Sequence, residues 1–147
     1  MGLVFFFAAS QQIFFQTADL DVKKNVEEFA HPVMSVLLGS SGEPSNWEYG
    51  SITDVNIFGI VSSKGVVDSR KFEKLAGYLN GPDYSLAKEK LGIARYDFQL
   101  SMVDSNGDYF NEAGFINENA DYTLIYERVV YYGGRQSVLR GVFSYAK

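Results

Sequence analysis

The sequence predicts an α+β fold: a long N-terminal α-helix packed on an antiparallel β-sheet, with two short helices in the connecting region. Three observations predict it. From Phe15 onward an apolar residue returns every three or four positions (Ala18, Val22, Val26, Phe29, Val33, Leu37), which draws one stripe along a helix. The middle of the chain carries two shorter helical patterns with their own start and stop signals. The last third changes to a period of two, broken by polar turns.

The first element is unusual in composition. Residues 1–18 hold no charged side chain, and Leu3, Val4, Phe5, Phe6, Phe7, Ile13, Phe14 and Phe15 make them apolar on every side. Read as a helix, this half asks for lipid or other copies of the chain around it. The amphipathic half that follows asks for a folded domain, and Val22, Val26, Phe29, Val33 and Leu37 would pack it on the sheet. Eighteen helical residues reach roughly 27 Å, near the ~30 Å of a bilayer core, but Ser10, Gln11, Gln12, Gln16 and Thr17 interrupt the run. The stretch therefore reads either as a buried core helix or as the lower end of a longer hydrophobic helix. Pro32 removes an amide donor, so a kink or break is expected near His31. These signals divide the chain into an N-terminal helix over residues 1–38 and a head over 39–147, the head having a connector (39–93) and a sheet (94–147).

Within the connector, Trp47 follows a Gly/Pro loop and reads as a plug on the core. Ile57-Phe58-Gly59-Ile60-Val61 reads as a short buried strand or extended segment. Asp68 is placed to cap a helix whose buried stripe is Phe72, Leu75, Ala76 and Leu79, with Val67 and Phe72 at staple spacing. A second helix begins near Asp83, buries Tyr84, Ala87 and Leu91, and stops at Gly92. Beyond it Tyr96, Phe98, Leu100 and Met102 share one side of a strand, and Ser105-Asn106-Gly107-Asp108 turns it. Residues 122–132 and 137–145 form two further strands around Gly133-Gly134. Short turns between successive strands imply antiparallel pairing.

Composition narrows the function classes. The 147 residues are 46% hydrophobic and 16% aromatic, enough for one real core and too apolar for disorder. A net charge of −5 without a basic cluster argues against nucleic acid and anionic membrane surfaces. There is no cysteine, so disulfides, iron–sulfur clusters and thiolate metal sites are excluded. His31 is the only histidine and stands beside a proline, a poor place for a catalytic base. No phosphate-cradling glycine loop is present. Asp104, Asn106 and Asp108 alternate like the opening of a calcium loop, but Tyr109 and Phe115 stand where that loop needs glycine and glutamate. A hairpin turn explains the same residues, so no metal, cofactor or enzymatic activity is expected.

The ordered series Gly42-Glu43-Pro44-Ser45-Asn46-Trp47, Phe58-Gly59-Ile60, Gly65-Val66-Val67-Asp68 and Lys71-Phe72-Glu73-Lys74-Leu75 resembles archaeal type IV pilin-like proteins of the class III signal peptide family. The likeness continues through Tyr84, Lys88, Leu91-Gly92-Ile93, Tyr96-Asp97-Phe98 and the ending Glu127-Arg128-Val129-Val130-Tyr131-Tyr132-Gly133. The resemblance implies a pilin-like fold and a structural subunit of an extracellular filament at the cell surface, membrane-anchored before assembly. Its partners would be other copies of itself or other pilin-like subunits, and its filament-core or membrane helix would carry the residues from Leu3 to Phe15. The alternative within the same resemblance is a membrane-tethered minor pilin or adhesin-like module whose head binds a partner or surface ligand. The basic leader and the acidic residue near the helix start that mark the family are not among these residues.

Overall fold

The computed structural model describes residues 5–7, 11–15, 20–104 and 106–145; for residues 5–7, 11–15, 20–27, 29 and 110 it describes the backbone alone. In chain order come β1 (Phe5–Phe7), β2 (Gln11–Phe15), α1 (Leu20–Gly39), β3 (Val61–Ser63), β4 (Val66–Val67), α2 (Ser69–Asn80) and α3 (Tyr84–Leu91). Then follow β5 (Asp97–Val103), β6 (Tyr109–Gly114), β7 (Tyr122–Tyr132) and β8 (Arg135–Tyr145). Two single turns of 3-10 helix, Trp47–Tyr49 and Ile52–Asp54, lie in the loop after α1.

β7 and β8 pair along their whole length, from Tyr122 opposite Tyr145 to Tyr132 opposite Arg135. Around them the strands are ordered β1-β2-β7-β8-β5-β6, and β4 joins the same edge of β7 as β2. Register puts Leu124, Tyr126 and Val130 on one face with Leu139 and Phe143 of β8 and Phe98, Leu100 and Met102 of β5. All of these are buried, each such side chain contributing about 1.5–3 kcal/mol of transfer free energy. The rings of Phe98 and Phe143 are tilted with centroids 4.9 Å apart. α1 covers this face with Ala30, Met34, Leu37 and Leu38, spaced four, three and one apart on one helical side. Met34 reaches the sheet at Gly141, where an added Cβ would stand 2.9 Å from its Sδ. A side chain there would have to displace the end of the Met34 side chain, which packs against this point of the sheet.

The predicted fold class needs correction. No single long helix covers the N-terminal stretch: among the described residues α1 begins at Leu20, and residues 5–7 and 11–15 are strands paired with each other and, through β2, with β7. Aromatic and β-branched residues fit a pleated surface better than a helix. A lone helix apolar all round would also leave most of its surface without protein to pack on, whereas strands close a ladder. The sheet is mixed rather than antiparallel, because β4 runs parallel to β7 with Val66 opposite Tyr131 and Val67 opposite Tyr132. A parallel pair needs a long crossover, and residues 68–121 supply it. One smaller expectation also changes. α1 runs through Pro32 unbroken; Glu28 and Pro32 are both exposed, so the carbonyl that loses its partner faces water. Of the two readings of residues 57–61, 57–60 fit the segment outside a strand: Ile57 makes an isolated bridge to Glu43, and β3 starts at Val61. Among the described residues no helix is long and apolar enough to cross a membrane.

Candidate functional site

The two ends of the sheet are built differently. β6 is the last strand on one side, and its free edge is occupied by a side chain. Asn80, the final residue of α2, accepts a hydrogen bond from Gly114 N (2.9 Å) and donates one to Glu112 O (3.4 Å). Residues two apart present their backbone groups on the same side of a strand, so one carboxamide satisfies both as a short strand would. α2 is fixed for this task. Asp68 Oδ1 accepts from the amides of Arg70 (2.9 Å) and Lys71 (3.2 Å) at its start, and Phe72, Leu75, Ala76 and Leu79 are buried beneath it. On the other side the terminal strand is β1, Phe-Phe-Phe, which among the described residues pairs only with β2. Natural sheets blunt such edges with charge, proline or a bulge. Residues 1–18 contain neither charge nor proline.

The face of the sheet turned away from α1 carries a polar row. In register, Glu127 stands opposite Arg140, Arg140 opposite Ser101, and Ser101 opposite Glu112. Arg140 Nη2 lies 3.2 Å from Glu127 Oε1, its Nη1 donates to the Tyr109 hydroxyl, and its guanidinium is 5.4 Å from the Tyr109 ring centre. Gln99 donates to Glu112 Oε1 at 2.7 Å. Ser101 Oγ and Arg140 Nε are buried without a hydrogen-bond partner among the described residues. Exposed Tyr109, Val129 and Tyr131 flank the row. An arginine among tyrosines is the composition of a contact surface, and its charge is already balanced by Glu127. No residue here is a nucleophile paired with a base.

Two buried lysines serve the fold. Lys71 Nζ meets Glu48 Oε1 at 2.8 Å, donates to Ser45 O and lies 5.5 Å from the Trp47 ring centre. Trp47 is buried, its Nε1 donating to Gly59 O at 2.8 Å. Lys88 donates to Tyr96 O (2.8 Å) and stands 4.7 Å from the Tyr84 ring centre. Tyr84 in turn donates to Asp97 Oδ1 (2.9 Å) and accepts from Phe98 N (3.0 Å).

Burial, and secondarily the neighbouring Asp97 carboxylate, push the Tyr84 hydroxyl well above its ordinary value of 10.0, although the Phe98 amide pulls the other way. Burial likewise raises Tyr126. A phenol held neutral in the fold contributes stability that is complete below its unfolded value and is lost as pH climbs beyond it. The chain is thus expected to lose stability above about pH 10. Tyr84→Phe should cost about 1–3 kcal/mol at neutral pH through the abandoned Asp97 and Phe98 groups and make the alkaline loss shallower. Urea melts at neutral and alkaline pH check both; equal alkaline slopes for variant and parent would refute the assignment.

The residues singled out from sequence are distributed as follows. Leu3 and Val4 lie outside the described residues. Phe5, Phe6 and Phe7 are β1, and Ile13, Phe14 and Phe15 belong to β2. Val22, Val26 and Phe29 are in α1 with side chains outside the description, whereas Val33 is partly buried against the core and Leu37 fully buried in it. Asp104 Oδ1 accepts from the amides of Asn106 (2.9 Å) and Asp108 (3.0 Å), which closes the turn between β5 and β6. Among the described residues no three His, Asp or Glu side chains group as metal ligands. An open, largely apolar groove of about 270 Å³ runs between Pro32, Val36, Ile57 and Leu91; its lysine, Lys90, donates to Val55 O at 2.7 Å. The sequence offers Tyr109 as one of several aromatics available to a binding head and Glu127 within the run quoted for the resemblance, but the pairings of Asn80, Tyr109, Glu127 and Arg140 have no signal there, because they are chosen by register and by helix placement. Comparison with protein-family models, with curated proteins and with solved structures found no match to the chain.

Proposed function

We propose that the chain is a structural subunit of an extracellular, pilus-like filament, and that its uncharged N-terminal stretch joins copies as β-structure. The observation that carries this reading is the contrast between the two sheet edges. One is occupied by Asn80; the other ends in three phenylalanines without a charge. An edge left in that state is a template for another chain. The resemblance to archaeal type IV pilin-like proteins supports the same class of role. The means differs from helix packing: main-chain ladder bonds supply geometry, and burial of phenylalanine surface at about 25 cal/mol per Å² supplies the drive. The partners are other copies or related subunits.

A charge within the terminal strand tests this. Phe6→Lys adds the kind of gatekeeper that other edges carry. In sedimentation velocity and negative-stain microscopy the parent chain is expected to form concentration-dependent assemblies and the variant to remain monomeric with an unchanged far-UV spectrum. A parent that stays monomeric at every concentration, or a variant that assembles as well as the parent, overturns the reading.

A second reading is favoured by the Arg140–Tyr109 face and its exposed Tyr131: a membrane-tethered accessory or adhesive subunit whose head engages a partner. Stoichiometry separates the two. A chain that forms the bulk of purified filaments is the structural subunit; a trace component is the accessory one.

A further inference from the structure

We infer that the β1–β2 hairpin of one copy is donated to the next, where its β2 occupies the place on β7 that β2 fills within its own chain. The inference rests on the chain's being a self-associating subunit and adds a contact at β7, distinct from the outer edge of β1. β8 takes one edge of β7 over all eleven residues. The opposite edge is shared by two short strands, β4 at Tyr131 and Tyr132 and β2 at residues 124–128. Withdrawing β2 would take the strand from one edge of that five-residue stretch while its buried Leu124 and Tyr126 stay in the core. Such an edge requires a strand, and the chain's own segment specifies which.

The register is written in side-chain chemistry. Gln11 and Gln12 stand opposite Arg128 and Glu127, polar against charged. Ile13, Phe14 and Phe15 stand opposite Tyr126, Ile125 and Leu124, apolar against apolar. A slip of one residue in either direction would set an apolar residue against a charge or a glutamine against an apolar residue, so this alignment is selected. The same matching holds whether donor and acceptor belong to one chain or two. Exchange therefore forfeits no pairing, which is what makes swapping of an identical element inexpensive.

The remainder of the fold has its own support. α1 is anchored by Ala30, Met34, Leu37 and Leu38, and the core continues through Trp47, Phe72, Phe98 and Phe143. The hairpin is joined to α1 only through residues 16–19, between Phe15 and Leu20. Fully extended, that connection spans roughly 14 Å. A donated hairpin would thus hold the donor's α1 close beside the acceptor's β7 and fix the orientation of neighbouring heads. Donor and acceptor are different surfaces, so donation from each copy to the next is a head-to-tail contact, which repeats as an open chain wherever the rotation between neighbours does not close a ring.

The chain has no cysteine, which makes a disulfide test clean. Gln11 and Arg128 are directly paired, and paired Cα atoms lie within the span a disulfide accepts. Full-length Gln11→Cys and full-length Arg128→Cys are mixed under assembling conditions, oxidised and run on a non-reducing gel. A parallel mixture of Gln11→Cys with Glu118→Cys, on an exposed turn, measures chance collisions. Donation predicts cross-linking of the first mixture on the order of a hundredfold or more faster than the second, and a ladder of linked chains from the Gln11→Cys/Arg128→Cys double variant. Gln12→Cys with Glu127→Cys, the adjacent pair, repeats the test should either first variant fail to fold. A double variant that closes only within its own chain, with mixtures no faster than chance, overturns donation. If the parent nevertheless assembles and Phe6→Lys does not, self-association stands and only the exchange falls; if the parent never assembles, both fall.

Discussion

Lys71→Met is expected to destabilise the chain by about 3–5 kcal/mol, a large part of the 5–15 kcal/mol that holds a typical domain together. The side chain of Lys71 is 5% exposed and that of its partner Glu48 7% exposed, with 2.8 Å between charged atoms. Methionine fills the same volume and removes the cation. What remains is a carboxylate without its counter-charge, a carbonyl at Ser45 without its donor, and an indole face at Trp47 that has lost its ammonium. The loss therefore comes from what is abandoned rather than from a contact of great intrinsic strength. Removing both charges together separates these two accounts. Lys71→Met/Glu48→Leu should recover most of the stability, since replacing a buried pair by apolar groups is often neutral or favourable. Thermal melts of the single and double variants read the result, with a drop of about 10 °C or more for the single change. A double variant no better than the single one would show that the pair itself is indispensable.

If the chain assembles as proposed above, the ion pair would bear on assembly, because it ties the Trp47 turn to α2, and α2 carries Asn80 to the edge of β6. Loosening it would weaken both the fold and the occupied edge. Assembly of a Lys71 variant is accordingly expected to become less orderly as well as less stable, with a second sheet edge opened.

What local chemistry controls was legible in the chain. Asp68 caps α2 because its carboxylate reaches the next amides. Phe98, Leu100 and Met102 face one way because a strand alternates. Trp47 is a buried plug, as its place after a Gly/Pro loop implies. The N-terminal stretch was not legible. A run that is apolar on all sides has no period, so pattern alone does not separate helix from strand; the partner strand β7, over a hundred positions on, decides it. The parallel β4–β7 pairing, Val66 with Tyr131, is likewise remote in sequence. The same holds for the candidate site. Asn80 meets partners 32 and 34 residues away, and Arg140 meets Glu127 and Tyr109 only once the strand register is set. Long-range contacts of this kind leave no mark on nearby residues.

Gly59→Ala and Gly77→Ala are expected to move stability in opposite directions although each adds one methyl group. A Cβ at Gly59 would lie 2.3 Å from Gly42 N, 2.3 Å from Ser40 O and 2.5 Å from Ser40 Oγ. Two of these atoms are backbone and cannot rotate aside. Relief requires the segment after α1 to separate from residues 57–60, and with it the bond from Trp47 Nε1 to Gly59 O. Overpacking of a tight site costs about 1–3 kcal/mol and sometimes more; with the indole bond drawn in, the upper end is expected. Gly77 lies inside α2 on an exposed position, with nothing within 4 Å of its added Cβ. There the methyl meets only solvent while helix propensity improves by about 0.5–1 kcal/mol. Urea denaturation of the two variants beside the parent supplies the check, with midpoints on either side of it and unchanged slopes. Equal effects would mean that the close approach around Gly59 is not what holds the Trp47 turn against the core.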